Sequence, residues 1–408
     1  MASTLKLFYD APRLFSAEAR VLSVGGTQQA PVLVLDRTIF YPEGGGQACD
    51  LGEIGPMAGG ASTSVASVTE AVSSSGERLV LHAMAGPCAA LAGDAVRLSV
   101  DRPRRIDYSQ QHTAEHLIGS AALRLLGANV VSVRFGSERS LIDFDLPAIP
   151  EEELAAVEEA VETAIAEDHP LRTRLCPPED AASFPLRRPP PAVEEVLRVV
   201  EIEGLDFSPC CGLHLGSTGE LRMVKLLGAE KYKGMTRVYF IAGARAASDY
   251  RALSRIARDS ARTLETSPAE LAEAVAREAE RRREAERAIL SLERERAAME
   301  VAAAAAAPSA GAPGFVARRY ADRKAASLME TAKAFAQAGM IALLASLPDL
   351  TVQALAPSPA AKLGERLKPC LADTGGKGGG GPASFRALFP NGEKLAAFME
   401  AAEIALSR

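Results

Sequence analysis

Histidine is scarce in this chain: only His82, His112, His116, His169 and His214 occur in 408 residues. Cysteine is nearly as rare. Of the six, Cys49, Cys88, Cys176 and Cys370 stand alone, and only Cys210 and Cys211 are clustered. Adjacent cysteines rarely bridge each other, so a disulfide framework is excluded. The pattern fits a protein of the reducing cytoplasm that uses cysteine as a ligand. No run of about 18 uncharged apolar residues occurs, which excludes a membrane-spanning helix. Residues 1–15 lack the charged-then-apolar pattern of a secretory signal. Positive charge is in deficit, 46 Lys and Arg against 52 Asp and Glu, for a net charge of -6. A generally basic nucleic-acid coat is thereby excluded, while a local basic face is not. What is present is bulk: 48% hydrophobic residues in a chain of 408, too long for one ordinary domain, so about two to four are expected.

Three of the five histidines fall in two short clusters. Gln111-His112-Thr113-Ala114-Glu115-His116 places two imidazoles four residues apart at the opening of a helix predicted over 113–126. That spacing puts both on one face, one turn apart. Cys210-Cys211-Gly212-Leu213-His214 repeats the offset of four. His112, His116, Cys210 and His214 together offer three nitrogens and one sulfur, a donor set suited to one tetrahedral Zn²⁺ per chain. Within these clusters Glu115 reads as a solvated first-turn residue and Cys211 as a packed residue rather than a fifth ligand.

Along the chain, residues 1–88 read as short strands separated by Gly- and Ser-rich turns, a small β-barrel-like domain. Inside it, Gly44, Gly45 and Gly46 precede Gln47. Such a run lets backbone approach a ligand or simply turn a hairpin. Residues 89–246 read as an α+β metal-binding domain, with a hairpin around Gly136 and an acidic helix over 151–167 whose glutamates suit a helix N-terminus. Residues 177–191 are a proline-rich connection. The stretch from Arg222 to Arg245 holds Lys225, Lys231, Lys233 and Arg237 among aromatic residues. It reads as a phosphate-contacting surface or as a solvated sheet edge. Residues 247–313 form a helical spacer and linker. Ser267-Pro268-Ala269-Glu270 marks a helix start there, and 308–313 the linker itself. Residues 314–408 form a last small α/β unit. In it, Lys377 sits in a glycine-rich loop over 375–381 that either follows a phosphate backbone or lies free on the surface. The fold class is therefore multidomain α+β.

These motifs resemble the alanyl-tRNA editing proteins, free-standing relatives of the editing half of alanyl-tRNA synthetase. The resemblance is carried by Leu35-Asp36-Arg37-Thr38-Ile39-Phe40-Tyr41-Pro42-Glu43-Gly44-Gly45-Gly46-Gln47, by Asp50-Leu51-Gly52, by 111–117 and by 209–214. The C-terminal Gly375-Gly376-Lys377-Gly378-Gly379-Gly380 is similar to the DHHA1 domain of that family. Two departures stand out. Leu213 replaces the family's threonine before the last histidine, and the C-terminal loop continues into Pro382-Ala383-Ser384-Phe385.

The resemblance implies a trans-editing hydrolase that removes serine, or glycine, from mischarged tRNA(Ala), with Zn²⁺ on His112, His116, Cys210 and His214. It begins near Leu7, leaving no room for a domain that activates an amino acid. It also implies Gln47 and the backbone of Gly44–Gly46 near the adenosine end, Thr38 near the amino-acid side chain, basic contacts to the tRNA, and a homodimer through the C-terminal region. Two other readings remain open. His112-Thr113-Ala114-Glu115-His116 also fits an inverted-zincin metallopeptidase with Glu115 as base, though that leaves Cys210 and His214 unused. A closed four-ligand zinc fits a non-catalytic RNA-binding protein.

Overall fold

The computed structural model describes residues 3–57, 59–190, 196–306 and 314–407. The linker at 308–313 and the end of the proline-rich connection lie outside them. The chain divides into two compact units, residues 1–256 and 257–408.

In the first unit, alternating buried and exposed residues form strands that close into a barrel in the order Ser16–Gly26, Pro31–Leu35, Arg78–Met84, Thr63–Val72, Gly52–Pro56 and Ala95–Val100. Its last strand comes from beyond residue 88. Aliphatic side chains such as Val21, Leu33, Leu35, Ile54, Val68 and Leu98 fill it. Directly after the barrel, Asp101 accepts the Arg104 amide at 3.1 Å and caps a helix, Arg102–Leu126, that Pro103 opens and Gly127 ends in the left-handed region. This helix starts about three turns before the expected 113. The cap and the proline were readable signals. As a result His112 and His116 sit in mid-helix, where no backbone end frays.

The Arg102–Leu126 helix packs on the acidic helix Glu151–Glu167 and on an antiparallel sheet ordered Val224–Tyr232, Met235–Ala242, Ser140–Phe144, Val130–Phe135. The hairpin expected around Gly136 is the last pair of that sheet. A second antiparallel sheet joins Leu171–Cys176, Leu197–Ile202 and Asp206–Pro209.

One buried ion pair ties barrel to helix. Arg105, 1% exposed, donates to the Asp50 carboxylate and to the carbonyls of Pro12, Leu14 and Ile39. Asp50 also accepts the Tyr41 amide at 2.6 Å. Asp50 thus belongs to the loop that brings Gly44–Gln47 over the His112 turn.

In the second unit a long helix, Leu271–Ala306, follows the short turn Pro268–Glu270, where the Ser267 hydroxyl donates to the Glu270 carboxylate at 3.0 Å. A five-stranded sheet ordered Phe315–Tyr320, Ile341–Ser346, Thr351–Leu355, Ser384–Leu388, Lys377–Gly380 carries helices Leu328–Gln337, Leu363–Thr374 and Gly392–Ser407. The glycine-rich stretch is therefore an edge strand and not a loop. A Cβ on Gly378 or Gly380 would fall 2.0–2.6 Å from the backbone of Ser384–Ala387. The glycines let this edge pair tightly with its neighbour.

Candidate metal centre and its cleft

His112, His116, Cys210 and His214 come together from two distant segments, all buried, with one ligand atom of each within 4.8 Å of the others. Cys210 Sγ lies 3.2 Å from His112 Nε2 and 3.4 Å from His214 Nε2. His116 Nε2 is buried in the same place without a hydrogen-bond partner. A buried, unpartnered ring nitrogen is costly unless something else takes its lone pair.

Each imidazole is held by its other nitrogen. His112 Nδ1 meets Gln47 Oε1 at 2.9 Å, His116 Nδ1 meets Asp206 Oδ2 at 2.9 Å, and His214 Nδ1 meets Thr113 Oγ1 at 3.3 Å. All three Nδ1–H groups then donate outward and all three Nε2 lone pairs turn inward, the arrangement that prepares histidines for a metal. Gln47 Oε1 also accepts the Leu213 amide at 3.2 Å, so this side chain links the glycine loop to the Cys/His loop. Its Nε2 is buried and unpartnered.

The electrostatics favour a cation. Burial pushes the Cys210 thiol up, but the His112 and His214 imidazoles beside it hold it well below the ordinary thiol value. Burial, and then His116, drives His214 down to about 3. Burial also pulls His116 down, but the Asp206 hydrogen bond and the Cys210 sulfur outweigh it and raise it to about 9.

Two glycines make the geometry possible. Gly212 lies against the His112 ring, and Gly46, at φ +80°, packs on the Val133 carbonyl and accepts the Phe135 amide at 3.2 Å. Gly45 and Gly46 line a cleft with Glu115, Arg188, Arg198 and Cys210.

Glu115 is not solvated. It is 3% exposed, with carboxylate oxygens 3.7 Å from His116 Nε2 and 3.7 Å from Arg187 Nη2. Burial of both helix faces in this mid-helix turn overrides the first-turn reading. Cys211, expected to be packed, is exposed and lines the cleft. Leu213 points into an apolar cluster with Phe8 and Tyr41.

Thr38 is fully buried, and its Oγ1 is 2.8 Å from His82 Nε2 and accepts the Phe40 amide at 3.0 Å; like Gln47, it lies behind the residues that line the cleft. His82 Nδ1 faces the Leu33 carbonyl at 3.2 Å, which makes Nε2 the acceptor of the Thr38 hydroxyl.

The basic stretch is largely spent on internal pairs. Lys225 pairs with Glu158, Arg237 with Asp143 at 2.7 Å, and Arg245 with Asp107 at 2.6 Å. Lys231 and Lys233 stay exposed at the hairpin end, and Lys377 is exposed on its edge strand.

Sequence reasoning missed Asp206, Arg187 and Arg198. Arg198 donates to the carbonyls of Cys210 (2.7 Å) and Gly212 (2.9 Å) and so braces the ligand loop. None carries a local motif; only the pairing of distant strands reveals them.

Residues 197–239 match the model of the threonyl and alanyl tRNA synthetase second additional domain. The chain is 34% identical over 226 residues to the alanyl-tRNA editing protein Aarsd1 of Mus musculus, covering 52% of this chain and 49% of that one. It is 32% identical over 360 residues to the alanine–tRNA ligase of Halorubrum lacusprofundi, covering 86% of this chain and 38% of that one. The chain thus spans about half the length, or less, of these curated relatives.

Proposed function

The chain belongs to the family of the alanyl-tRNA editing proteins, which are related to alanyl-tRNA synthetase, and from that premise we propose that it is a zinc-dependent deacylase of mischarged tRNA(Ala). Serine is the proposed first substrate and glycine the second. An alanine pocket cannot strongly reject an analogue differing by one small group, so a second, hydrolytic site is needed.

The observation that carries the reading is the buried three-nitrogen, one-sulfur cluster at a cleft edged by Gly45, Gly46 and Glu115. Its Sγ–Nε2 distances of 3.2 and 3.4 Å are close to the edge of about 3.6 Å that zinc–nitrogen bonds of about 2.0–2.1 Å and zinc–sulfur bonds of about 2.3 Å would give a tetrahedron. His112, His116, Cys210 and His214 would hold the ion. When bound, Zn²⁺ supplies a Lewis acid that polarises an ester carbonyl or acidifies water.

The protein's own groups do the rest. Gln47 orients His112 through Oε1 and offers its unpartnered Nε2–H to the ester. The backbone at Gly45 and Gly46 allows the terminal ribose to approach closely. Glu115, beside His116 Nε2, accepts the proton of the attacking water. Lys231, Lys233 and Lys377 are proposed phosphate contacts, with Lys225 and Arg237 in supporting positions. A homodimer through the C-terminal region completes the proposal and is read by sedimentation. Among the described residues no helix is long and apolar enough to cross a membrane.

The test is hydrolysis of Ser-tRNA(Ala) and Ala-tRNA(Ala) by the purified chain with its zinc content assayed. Loss of serine with alanine spared supports the reading. Zinc bound with neither ester cleaved refutes it and favours the non-catalytic RNA-binding alternative, for which the four-ligand set itself speaks. Cleavage of casein would favour the metallopeptidase.

A further inference from the structure

We infer that Arg187 is a positioning residue of the metal centre, acting through Asp206 on His116. The inference rests on reading the four-residue cluster as a metal site. Arg187 comes from the proline-rich connection, far from either ligand segment in sequence, yet its side chain is only 8% exposed. Its Nε donates to Asp206 Oδ1 at 2.9 Å and to Ser208 Oγ at 3.2 Å, and its own amide donates to the Phe207 carbonyl at 2.8 Å. The second Asp206 oxygen faces His116 Nδ1 at 2.9 Å and accepts the Ser208 hydroxyl at 2.9 Å. Both oxygens of a carboxylate that is 1% exposed are therefore fixed, and the imidazole it orients has one ring setting. The same guanidinium faces Glu115 at 3.7 Å, so a single buried cation answers two buried carboxylates.

The fold makes a particular place for that cation. Gly119 lies in the same helix as His112 and His116, less than one turn beyond the second. A Cβ at Gly119 would fall 2.3 Å from Arg187 Nη1 and 3.0 Å from Cζ. Glycine in a helix interior is less favourable than alanine. Here its missing side chain is the seat of the guanidinium. Two independent features, the hydrogen-bonded chain from Arg187 to His116 and the notch in the ligand helix, point to the same role.

The experiment uses the full chain and reads zinc affinity by chelator competition, with the visible spectrum of the Co²⁺-substituted protein as a second readout. Arg187→Met, Asp206→Asn and Gly119→Ala are each expected to weaken zinc binding by about 10–100-fold, the usual range for partners behind a metal ligand. The double variant Arg187→Met/Asp206→Asn is expected to bind no more weakly than Asp206→Asn alone, because both act along one chain. Gly119→Ala changes no charge and favours the helix, so it decides the matter if Arg187→Met does not fold. Wild-type zinc affinity and an unchanged Co²⁺ spectrum in Gly119→Ala and Arg187→Met, even with lowered melting temperatures, would overturn the inference and leave Arg187 merely structural. A wild-type protein that binds no zinc would overturn the metal reading itself, which is a different result.

Discussion

Replacing Gly212 by alanine perturbs the metal cluster without removing any ligand. The new Cβ would stand 1.8 Å from His112 Cε1, 2.1 Å from Nδ1 and 2.9 Å from Nε2. Comfortable carbon contacts are about 3.5–4.0 Å. Ring or loop must therefore move by about 1.5–2 Å, whereas metal–ligand distances tolerate about 0.2 Å. The ring has little freedom to yield, since Gln47 holds Nδ1 at 2.9 Å and Phe135 packs on it at 4.7 Å between centroids. The loop is braced by the Arg198 bonds to the Cys210 and Gly212 carbonyls. Taking one ligand of four as a quarter of the about 10–16 kcal/mol of a structural zinc gives about 2.5–4 kcal/mol, or about 10²–10³ in affinity. Chelator competition measures this directly, and circular dichroism melting checks that the unit still folds. Wild-type zinc affinity in Gly212→Ala would refute the argument that His112 is a ligand pinned by this contact.

Three further outcomes follow from the same geometry. Arg105→Met leaves the Asp50 carboxylate buried and unpaired, and urea denaturation is expected to report a loss of about 3–5 kcal/mol; a loss under 1 kcal/mol would mean water reaches Asp50. Burial depresses His82 to about 4, so the unfolded chain takes up its proton first. The stability it contributes is present above about pH 6.5 and lost as pH falls towards 4, about 2 kcal/mol between pH 7 and 5, and His82→Gln should remove that slope from the melting profile. Thr38→Val strips His82 Nε2 and the Phe40 amide of a buried partner and should cost about 1–3 kcal/mol. A changed ratio of serine to alanine release at unchanged stability would instead assign Thr38 to substrate.

Much of the site was legible because helical periodicity is a local property. An offset of four must put His112 over His116, and a thiol and imidazole at the same offset must be neighbours on a tight loop. The acidic helix at Glu151–Glu167 and the hairpin around Gly136 were legible for the same reason, through charge placement and alternation along short stretches. The same local logic misled at Glu115, whose carboxylate is buried by Arg187 and the cleft wall rather than solvated. It misled again at 375–381, where glycines that look flexible are packed backbone to backbone in an edge strand.

By itself, then, the sequence determined the candidate ligand types, their spacing and the helix that presents two of them, since these depend on residues within one or two turns of each other. Only the tertiary structure decided that Gln47 meets His112, that Asp206, bonded by Arg187, meets His116, that Arg237 pairs with Asp143, and that the Thr38 hydroxyl meets His82. Each of those partnerships joins segments tens of residues apart. Their energies come from burying charge and hydrogen-bonding groups together, which no local pattern of residues encodes.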